Sequence, residues 1–318
     1  MRRFLCISAL AFSILPFAAA QAQSYPDHPI RFIAPTTPGV MADTLARALA
    51  LAMSKALHQS IYVENKPGAD QQIGLDYIAR GAPADGYAVG VIGLDGQSLM
   101  TLTKRDLRFN PLKDLTLVAG LGEVRYVLAG PNKAPYKNFA ELVAGAKANA
   151  GKFNYGSSTP QVHLYSAELA RALGLEMTHV PYPSGAPFLM ALVAGDLDWG
   201  LLAEGTSTSQ KSRLRLYAVT GTSRSANNPD VPTFAELGFP RIKGPAYAVV
   251  VRTGTPQAII SKLSAATAEA LASPEMKASA KTFQFEIDYQ NADAVARVSE
   301  ERFKFYQDLI KSTGLKPE

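Results

Sequence analysis

Two segments of the sequence carry residue types that bind a small anion. Residues 35–43, PTTPGVMAD, connect a strand-like run to a helix-like run, and residues 155–163, YGSSTPQVH, do the same later in the chain; we call them the first joint and the second joint. A helix N-terminus offers free N–H groups and a positive dipole end, and glycine allows close approach of the backbone. The candidate ligand-binding residues are Thr36, Thr37, Pro38, Gly39 and Val40 in the first joint and Gly156, Ser157, Ser158, Thr159 and His163 in the second.

Connections of the strand–glycine–helix type are common in α/β proteins, so both joints are also compatible with purely structural turns. Asp95, within the segment 93–100, follows a strand-like run as well. A carboxylate beside an anion site repels a second carboxylate unless the ligand also carries an ammonium or amide group. Asp95 is therefore a candidate ligand-binding residue or, alternatively, part of a surface turn. His163 could contact the ligand or hydrogen-bond within its own loop, and His179 is expected to be structural.

Enzyme and metal signatures are missing from the sequence. There is no G-x-S-x-G elbow, no P-loop, no G-x-G-x-x-G and no cysteine beyond Cys6. Ser158 and His163 could form the dyad of an exported hydrolase, but nothing orients the histidine as a third residue must. The four histidines show neither H-x-x-x-H nor H-E-x-x-H spacing. We therefore predict no catalytic residues, no metal site and no cofactor.

The N-terminal residues have the pattern of a secretory signal peptide. Two arginines are followed by an apolar run and then by small residues. We predict that residues 1–22 are a signal peptide, with cleavage after Ala20 or Ala22. Cys6 leaves with this segment, so the mature chain must build its core without disulfides.

The charge balance of the mature chain gives no support to nucleic acid as a partner. Without Arg2 and Arg3 the 32 basic residues fall to 30, against 27 acidic residues, and there is no basic run of five or more. No later stretch approaches the roughly eighteen apolar residues that a membrane span requires. The length of the mature chain is sufficient for two domains.

Strand-like and helix-like runs alternate along the mature chain and have to position the two joints. Strand-like runs include 30–34, 61–65, 87–93, 153–157 and 246–254, and helix-like runs include 44–57, 71–83, 138–151, 161–174, 256–273 and 292–314. This alternation predicts an α/β fold with mainly parallel sheets. We expect two α/β domains with a ligand cleft between them: domain 1 comprises residues 23–120 and 247–318, and domain 2 comprises residues 121–246.

Several blocks of the sequence resemble one family. PIRFIAPTTPGVMADTLARALA, YVENKPGADQQIGLDYIA, HVPYPSGAPFLMALVAGDLD and LYAVTGTSRSANNPDVPTFAELG are similar, in order, to segments of the periplasmic substrate-binding proteins of tripartite tricarboxylate transporters, the Bug family. The resemblance implies a two-domain type II periplasmic binding protein fold that closes on its ligand. It also implies that amides and hydroxyls of both joints hold a ligand carboxylate, partly through water, and it adds Asp43 and Tyr155 to the matched positions.

The sequence departs from the family pattern at three places. Val40 stands where the family has the second glycine of P-G-G, and a side chain there narrows the backbone approach. The second joint lacks the family's glycines and looks about two residues short. Leu202 stands near the place of a frequent acidic residue. These departures favour a different and more apolar ligand.

The resemblance implies a function and a set of partners. We expect a monomeric periplasmic protein that binds a small organic acid or amino acid and delivers it to the subunits of a membrane permease. The alternative within the same fold is a sensor that reports to a membrane receptor. An exported hydrolase is a third possibility and the one that the sequence supports least.

Overall fold

A computed structural model of the chain describes residues 25–313. The predicted signal peptide and its cleavage sites lie outside the described residues. Within 25–313, no helix has both the length and the hydrophobicity of a membrane span.

Strands and helices alternate over most of the described chain. The strands are β1 (Ile30–Ala34), β2 (Ile61–Asn65), β3 (Ala88–Gly93), β4 (Leu115–Val124), β5 (Tyr126–Pro131), β6 (Phe153–Ser157), β7 (Met177–Pro181), β8 (Trp199–Ala203), β9 (Leu214–Val219), β10 (Ala246–Arg252) and β11 (Phe285–Asn291). The helices are α1 (Met41–Leu57), α2 (Gln72–Asp76), α3 (Leu94–Thr103), α4 (Phe139–Ala148), α5 (Pro160–Leu173), α6 (Gly185–Ala194), α7 (Glu204–Ser209), α8 (Gln257–Ala272), α9 (Pro274–Phe283) and α10 (Ala292–Thr313), and α2 continues into a π-helical turn at Tyr77–Gly81.

The strands form two sheets. The first sheet has six strands in the order β11-β4-β10-β3-β1-β2, and the second has five in the order β7-β6-β8-β5-β9. The predicted α/β class is confirmed, but the expectation of mainly parallel sheets is wrong. β1 pairs in parallel with β2 and β3, and β6 pairs in parallel with β7 and β8. The other described strand pairs are antiparallel. β5 and β10 enter their sheets from the opposite sheet and run against both neighbours, and the edge strand β11 runs against β4.

Each sheet buries its own apolar core. Residues of β1, β3, β4 and β10 pack against α1, α8 and α9 in one cluster, and residues of β6, β8 and β9 pack against α4 and α5 in another. α10 belongs to both halves. Val295 packs beside Leu94 and Ala248 near the first sheet, whereas Phe305, Tyr306 and Leu309 lie in the core of the second sheet.

The chain changes sheet between Val124 and Tyr126 and again between Val219 and Ala246. The domain boundaries near 121 and 246 stay predictions. These boundaries assign all of α10 to domain 1. The C-terminal part of this helix nevertheless contributes side chains to the core around the second sheet.

Candidate functional site

The carboxyl edges of the two sheets meet, and both joints lie on these edges. β4 runs in the same direction as β3, because each is antiparallel to β10. A single residue, Arg125, separates β4 from β5, and β5 begins where Tyr126 pairs with Ala203 at the carboxyl end of β8. Tyr126 and Ala203 also pack against the core of the first sheet. In open α/β sheets ligands bind outside the carboxyl ends of the strands, where β1 continues into the first joint and β6 into the second.

The first joint is a turn held in shape by a buried carboxylate. Asp43 accepts hydrogen bonds from the Gly39 N–H at 2.9 Å and from Asn65 Nδ2 at 2.7 Å, and it forms an ion pair with Arg47. Burial of the Asp43 carboxyl opposes its ionisation, but the hydrogen bonds that it accepts outweigh this cost and lower its pKa. Asp43 therefore supports the start of α1, and its charge is already matched.

The backbone conformation favours glycine at one position of the first joint. Gly39 has φ +85°, which favours glycine, whereas Val40 has φ −75° and ψ 153°, an extended conformation open to any residue. The Val40 side chain is 45% exposed. The departure at Val40 therefore puts an apolar side chain on the surface of the joint without straining the backbone.

The groups free to bind a ligand in the first joint are fewer than the sequence suggested. The Gly39 N–H is used by Asp43, and the Val40 N–H points to the carbonyl of Thr37 at 3.4 Å. The N–H groups of Met41 and Ala42, in the first turn of α1, have no intrahelical acceptor. The Thr36 hydroxyl is buried without a partner among the described residues, and Thr37 and Pro38 are exposed. Hydroxyls and first-turn amides, and not the glycine amide, are thus the available donors.

The second joint divides its residues between structural and free roles. Thr159 caps α5 by accepting a hydrogen bond from the Val162 N–H at 3.2 Å. Gly156 is buried, and a Cβ there would overlap with Leu197 and Phe188, so this glycine allows α6 to pack on the sheet. Ser158 is half-buried and is the hydroxyl of this joint that remains available.

Four side chains form a polar cluster beneath the first turn of α5. Ser157 Oγ lies 2.7 Å from His179 Nε2, and the Tyr155 hydroxyl lies 3.1 Å from His163 Nδ1. The two imidazoles are stacked with centroids 3.9 Å apart. Burial lowers the pKa of His163, and burial together with the neighbouring His163 lowers the pKa of His179 to about 4. His179 was expected to be structural, and it proves to be the partner of the predicted site residue Ser157.

Asp95 is neither a cleft residue nor part of a surface turn. It lies in the first turn of α3 and is 1% exposed. Its Oδ1 atom is 2.7 Å from Arg302 Nη1 and accepts hydrogen bonds from the hydroxyls of Tyr306 and Tyr165, while Oδ2 accepts one from the Ala246 N–H at 2.8 Å. Both oxygens are occupied, which favours a structural role for Asp95 over the predicted contact with the ligand.

The end of β8, where the family often has an acidic residue, does not present a carboxylate to a ligand either. Leu202 is buried in an apolar cluster with Phe188 and Leu192. Glu204 is 1% exposed and bonds to Asn228 Nδ2 at 2.6 Å. The wall built by β8 therefore offers no free carboxylate among the described residues.

A cavity of about 630 Å³ lies on the α10 side of the connection between the sheets and contains no residue of either joint. Glu123, Lys243, Tyr247 and Arg302 are among its lining residues. Burial raises the pKa of Glu123 to about 7 despite the guanidinium of Arg302 at 3.2 Å. Its position distinguishes this cavity from the predicted cleft at the joints.

Neither catalysis nor metal binding is indicated by the arrangement. His163 bonds to Tyr155 and not to Ser158, and in residues 25–313 no carboxylate orients either histidine of the cluster. No group of three or more His, Cys, Asp or Glu side chains in the described part of the chain could hold a metal ion.

Comparisons with known proteins agree on one family. The family model described as tripartite tricarboxylate transporter family receptor matches residues 45–315. A Cupriavidus necator protein named "UPF0065 protein in gbd 5'region" is 33% identical over 317 residues, which cover 97% of this chain and 94% of that protein. The structure of the periplasmic binding protein BugD, 26% identical, covers 92% of this chain and all of that chain with a TM-score of 0.72. An R. palustris protein solved with adipate, 26% identical, also covers 92% of this chain and all of its own, with a TM-score of 0.75.

Proposed function

The chain belongs to the tripartite tricarboxylate transporter receptor family and has the two-domain fold of periplasmic binding proteins, and on this premise we propose that it captures a small carboxylate-containing ligand between its two sheets and delivers it to a membrane permease. A solute-binding role follows from the family. Two observations together support a carboxylate ligand. A relative of the same fold was solved with adipate. In this chain, the helix N-termini of both joints lie at the carboxyl edges of the sheets, which meet at Arg125.

The two joints would hold the ligand by different groups. The first-turn N–H groups of Met41 and Ala42, with the hydroxyl of Thr36 or Thr37, would bind one carboxylate. Ser158 and the N-terminus of α5 would bind from the opposite sheet. Gly39, Gly156 and Thr159, which were predicted as ligand-binding residues, would contribute by shaping the backbone. Val40, exposed on the first joint, would contact an apolar part of the ligand, which fits an acid with a hydrocarbon segment.

A thermal-shift screen of the mature chain tests this proposal. The panel contains adipate, shorter dicarboxylates, tricarboxylates, amino acids and aromatic acids. A ligand at a hundred times its dissociation constant stabilises the folded state by about 2.7 kcal/mol, which is readily detected. A complete panel without any stabilising acid would contradict the proposal.

A pair of matched variants locates the binding site. Val40→Glu places a negative charge on the first joint and should weaken binding of the best acid at least tenfold through repulsion. Leu51→Glu changes another exposed apolar residue, in the middle of α1, and should leave affinity unchanged. Equal affinities of the two variants would place the ligand away from the first joint.

Export and delivery complete the proposal. Mass spectrometry of the periplasmic protein should show an N-terminus at Gln21 or Gln23. Cells that lack the protein should lose uptake of the identified acid. Normal uptake together with a lost transcriptional response to the acid would instead indicate the sensor function.

A further inference from the structure

We infer that His163 and His179 are positioning residues of the second joint and that one of the two imidazoles takes up a proton when a carboxylate binds there. This inference rests on the proposed function, because it concerns the same ligand. No sequence motif indicated this role. The negative charge of the ligand would be neutralised by a proton taken up on binding and not by a permanent cation.

The geometry ties the histidines to the backbone and the hydroxyls of the joint. His163 lies in the first turn of α5, where its N–H donates to the carbonyl of Thr159 at 3.1 Å. His179 lies on β7, directly beside Tyr155 of β6 in the parallel register. The imidazoles stack on each other at 3.9 Å, and each ring has one hydrogen-bonded hydroxyl, from Ser157 or from Tyr155.

Within residues 25–313, no carboxylate is hydrogen-bonded or ion-paired to either histidine of the pair. His163 is the titratable group that acts on His179, and Tyr155 is the titratable group bonded to His163. The other charged groups on these elements are Glu168 and Arg171 of α5, which form an ion pair with each other. Partial burial lowers the pKa of both histidines, which favours the neutral form of each ring in the free protein. A carboxylate bound beside the rings would raise the pKa of one of them by favouring its charged form.

Protonation would also redirect the Ser157 hydroxyl. While His179 Nε2 is unprotonated it accepts a hydrogen bond from Ser157, and the hydroxyl proton is not available to a ligand. Once Nε2 carries a proton it donates to Ser157 Oγ over the same 2.7 Å, and the hydroxyl is released to donate elsewhere. The stacked partner ring disfavours a second positive charge, so the uptake is limited to one proton.

The sign of the pH dependence follows from linkage. A group whose pKa is higher in the complex than in the free protein binds a proton with the ligand. Affinity therefore rises as the pH falls through the pKa of the complex, by up to about tenfold for each pH unit, until the pKa of the free protein is reached.

Nuclear magnetic resonance of the histidine rings tests the inference directly. The chain has four histidines, and the variants His163→Asn and His179→Gln assign two of the signals. Adipate, or the acid with the largest thermal shift, is added at saturation. We expect the titration midpoint of one of these two rings to rise by at least one pH unit. Unchanged midpoints with the acid bound would overturn the inference.

Calorimetry with a matched control supplies the second readout. His179→Gln keeps a hydrogen-bond donor near Ser157 but removes the titration, so its affinity for the acid should lose the rise toward low pH. His58→Asn is the control, since His58 ends α1 with φ 51°, a conformation that asparagine accepts readily, and it should keep the parental profile. A His179→Gln profile identical to the parent would contradict the inference even though the acid binds. If no acid binds any of the proteins, the proposed function itself fails.

Discussion

Two polar clusters at the meeting edges of the sheets differ in how completely their groups are paired. Around Asp95, a buried carboxylate is surrounded by Arg302, two tyrosine hydroxyls and a backbone amide. Ser157 bonds instead to His179, an imidazole whose pKa is lowered by burial, and Ser158 beside it remains half-buried and available. A buried charge with a full set of partners holds elements together. Neutral groups with spare hydrogen-bonding capacity can respond to a ligand, so the second cluster is the candidate for binding and the first is structural.

Loss of the Asp95 charge should give the largest effect on stability. Asp95→Asn leaves Arg302 buried beside a neutral amide, and breaking a buried pair costs about 3 kcal/mol or more. Urea unfolding measures the change, with Asp106→Asn as an exposed control. A decrease in the free energy of unfolding of less than about 1 kcal/mol would show that the Asp95 cluster does not hold the structure together.

Glu123, which contacts Arg302 at the edge of the first cluster, should make stability depend on pH. Its pKa is raised by burial from 4.5 to about 7, so the folded state binds a proton that the unfolded state releases. Its stabilising contribution is complete below pH 4.5 and is lost as the pH rises to about 7, by at most about 3 kcal/mol.

Glu123→Gln should remove this dependence. The stability of the variant relative to the parent should improve between pH 4.5 and 7, as measured by urea unfolding at several pH values. Glu269→Gln, on the exposed face of α8, is the control and should track the parent. Parallel profiles for all three proteins would mean that Glu123 keeps its ordinary ionisation.

The two glycines predicted as ligand-binding residues should respond differently to alanine. Gly156→Ala places a methyl group against Leu197 and Phe188 and should cost about 1–3 kcal/mol by overpacking. Gly39→Ala has open space and should cost only about 1 kcal/mol for its left-handed backbone. Thermal unfolding ranks the pair, and a larger cost at Gly39 would reverse the roles assigned here.

Val40→Gly should have the smallest effect on stability, about 1 kcal/mol or less through chain entropy. Its effect on ligand choice should be clearer, because the exposed side chain narrows the first joint. Titration calorimetry with the best acid and a bulkier analogue should show the bulkier acid gaining relative affinity. Unchanged relative affinities would indicate that Val40 does not contact the ligand.

Local sequence patterns predicted the elements and the position of the joints. β1, β2 and β6 have the predicted bounds, because β-branched and aromatic runs ended by proline, glycine or asparagine are local signals. The segment 274–291 forms α9 and the edge strand β11, but its polar residues give too weak an apolar pattern to predict either element. Antiparallel pairing was missed because it depends on how the chain crosses between the sheets.

The roles of individual site residues depend on distant partners and could not be predicted in the same way. Asp95 bonds to Arg302, which is 207 residues away in the sequence, and Ser157 of β6 bonds to His179 of the neighbouring strand β7. The sequence around Gly156 is typical of a ligand-binding loop, and only the packing of Leu197 and Phe188 against this residue reveals a structural reason for glycine. Asp43, by contrast, meets the Gly39 N–H only four residues away, a distance over which a local sequence pattern can indicate a support of the helix start.

Hydrogen–deuterium exchange of the mature protein, with and without the acid found in the screen, tests the central claim most directly. If the ligand binds between the joints, amide exchange should slow in peptides covering residues 36–44 and 156–164, while the already paired region around Asp95 should change little. Protection confined to the peptides that line the cavity at Glu123 and Lys243, with the joints unaffected, would contradict the account.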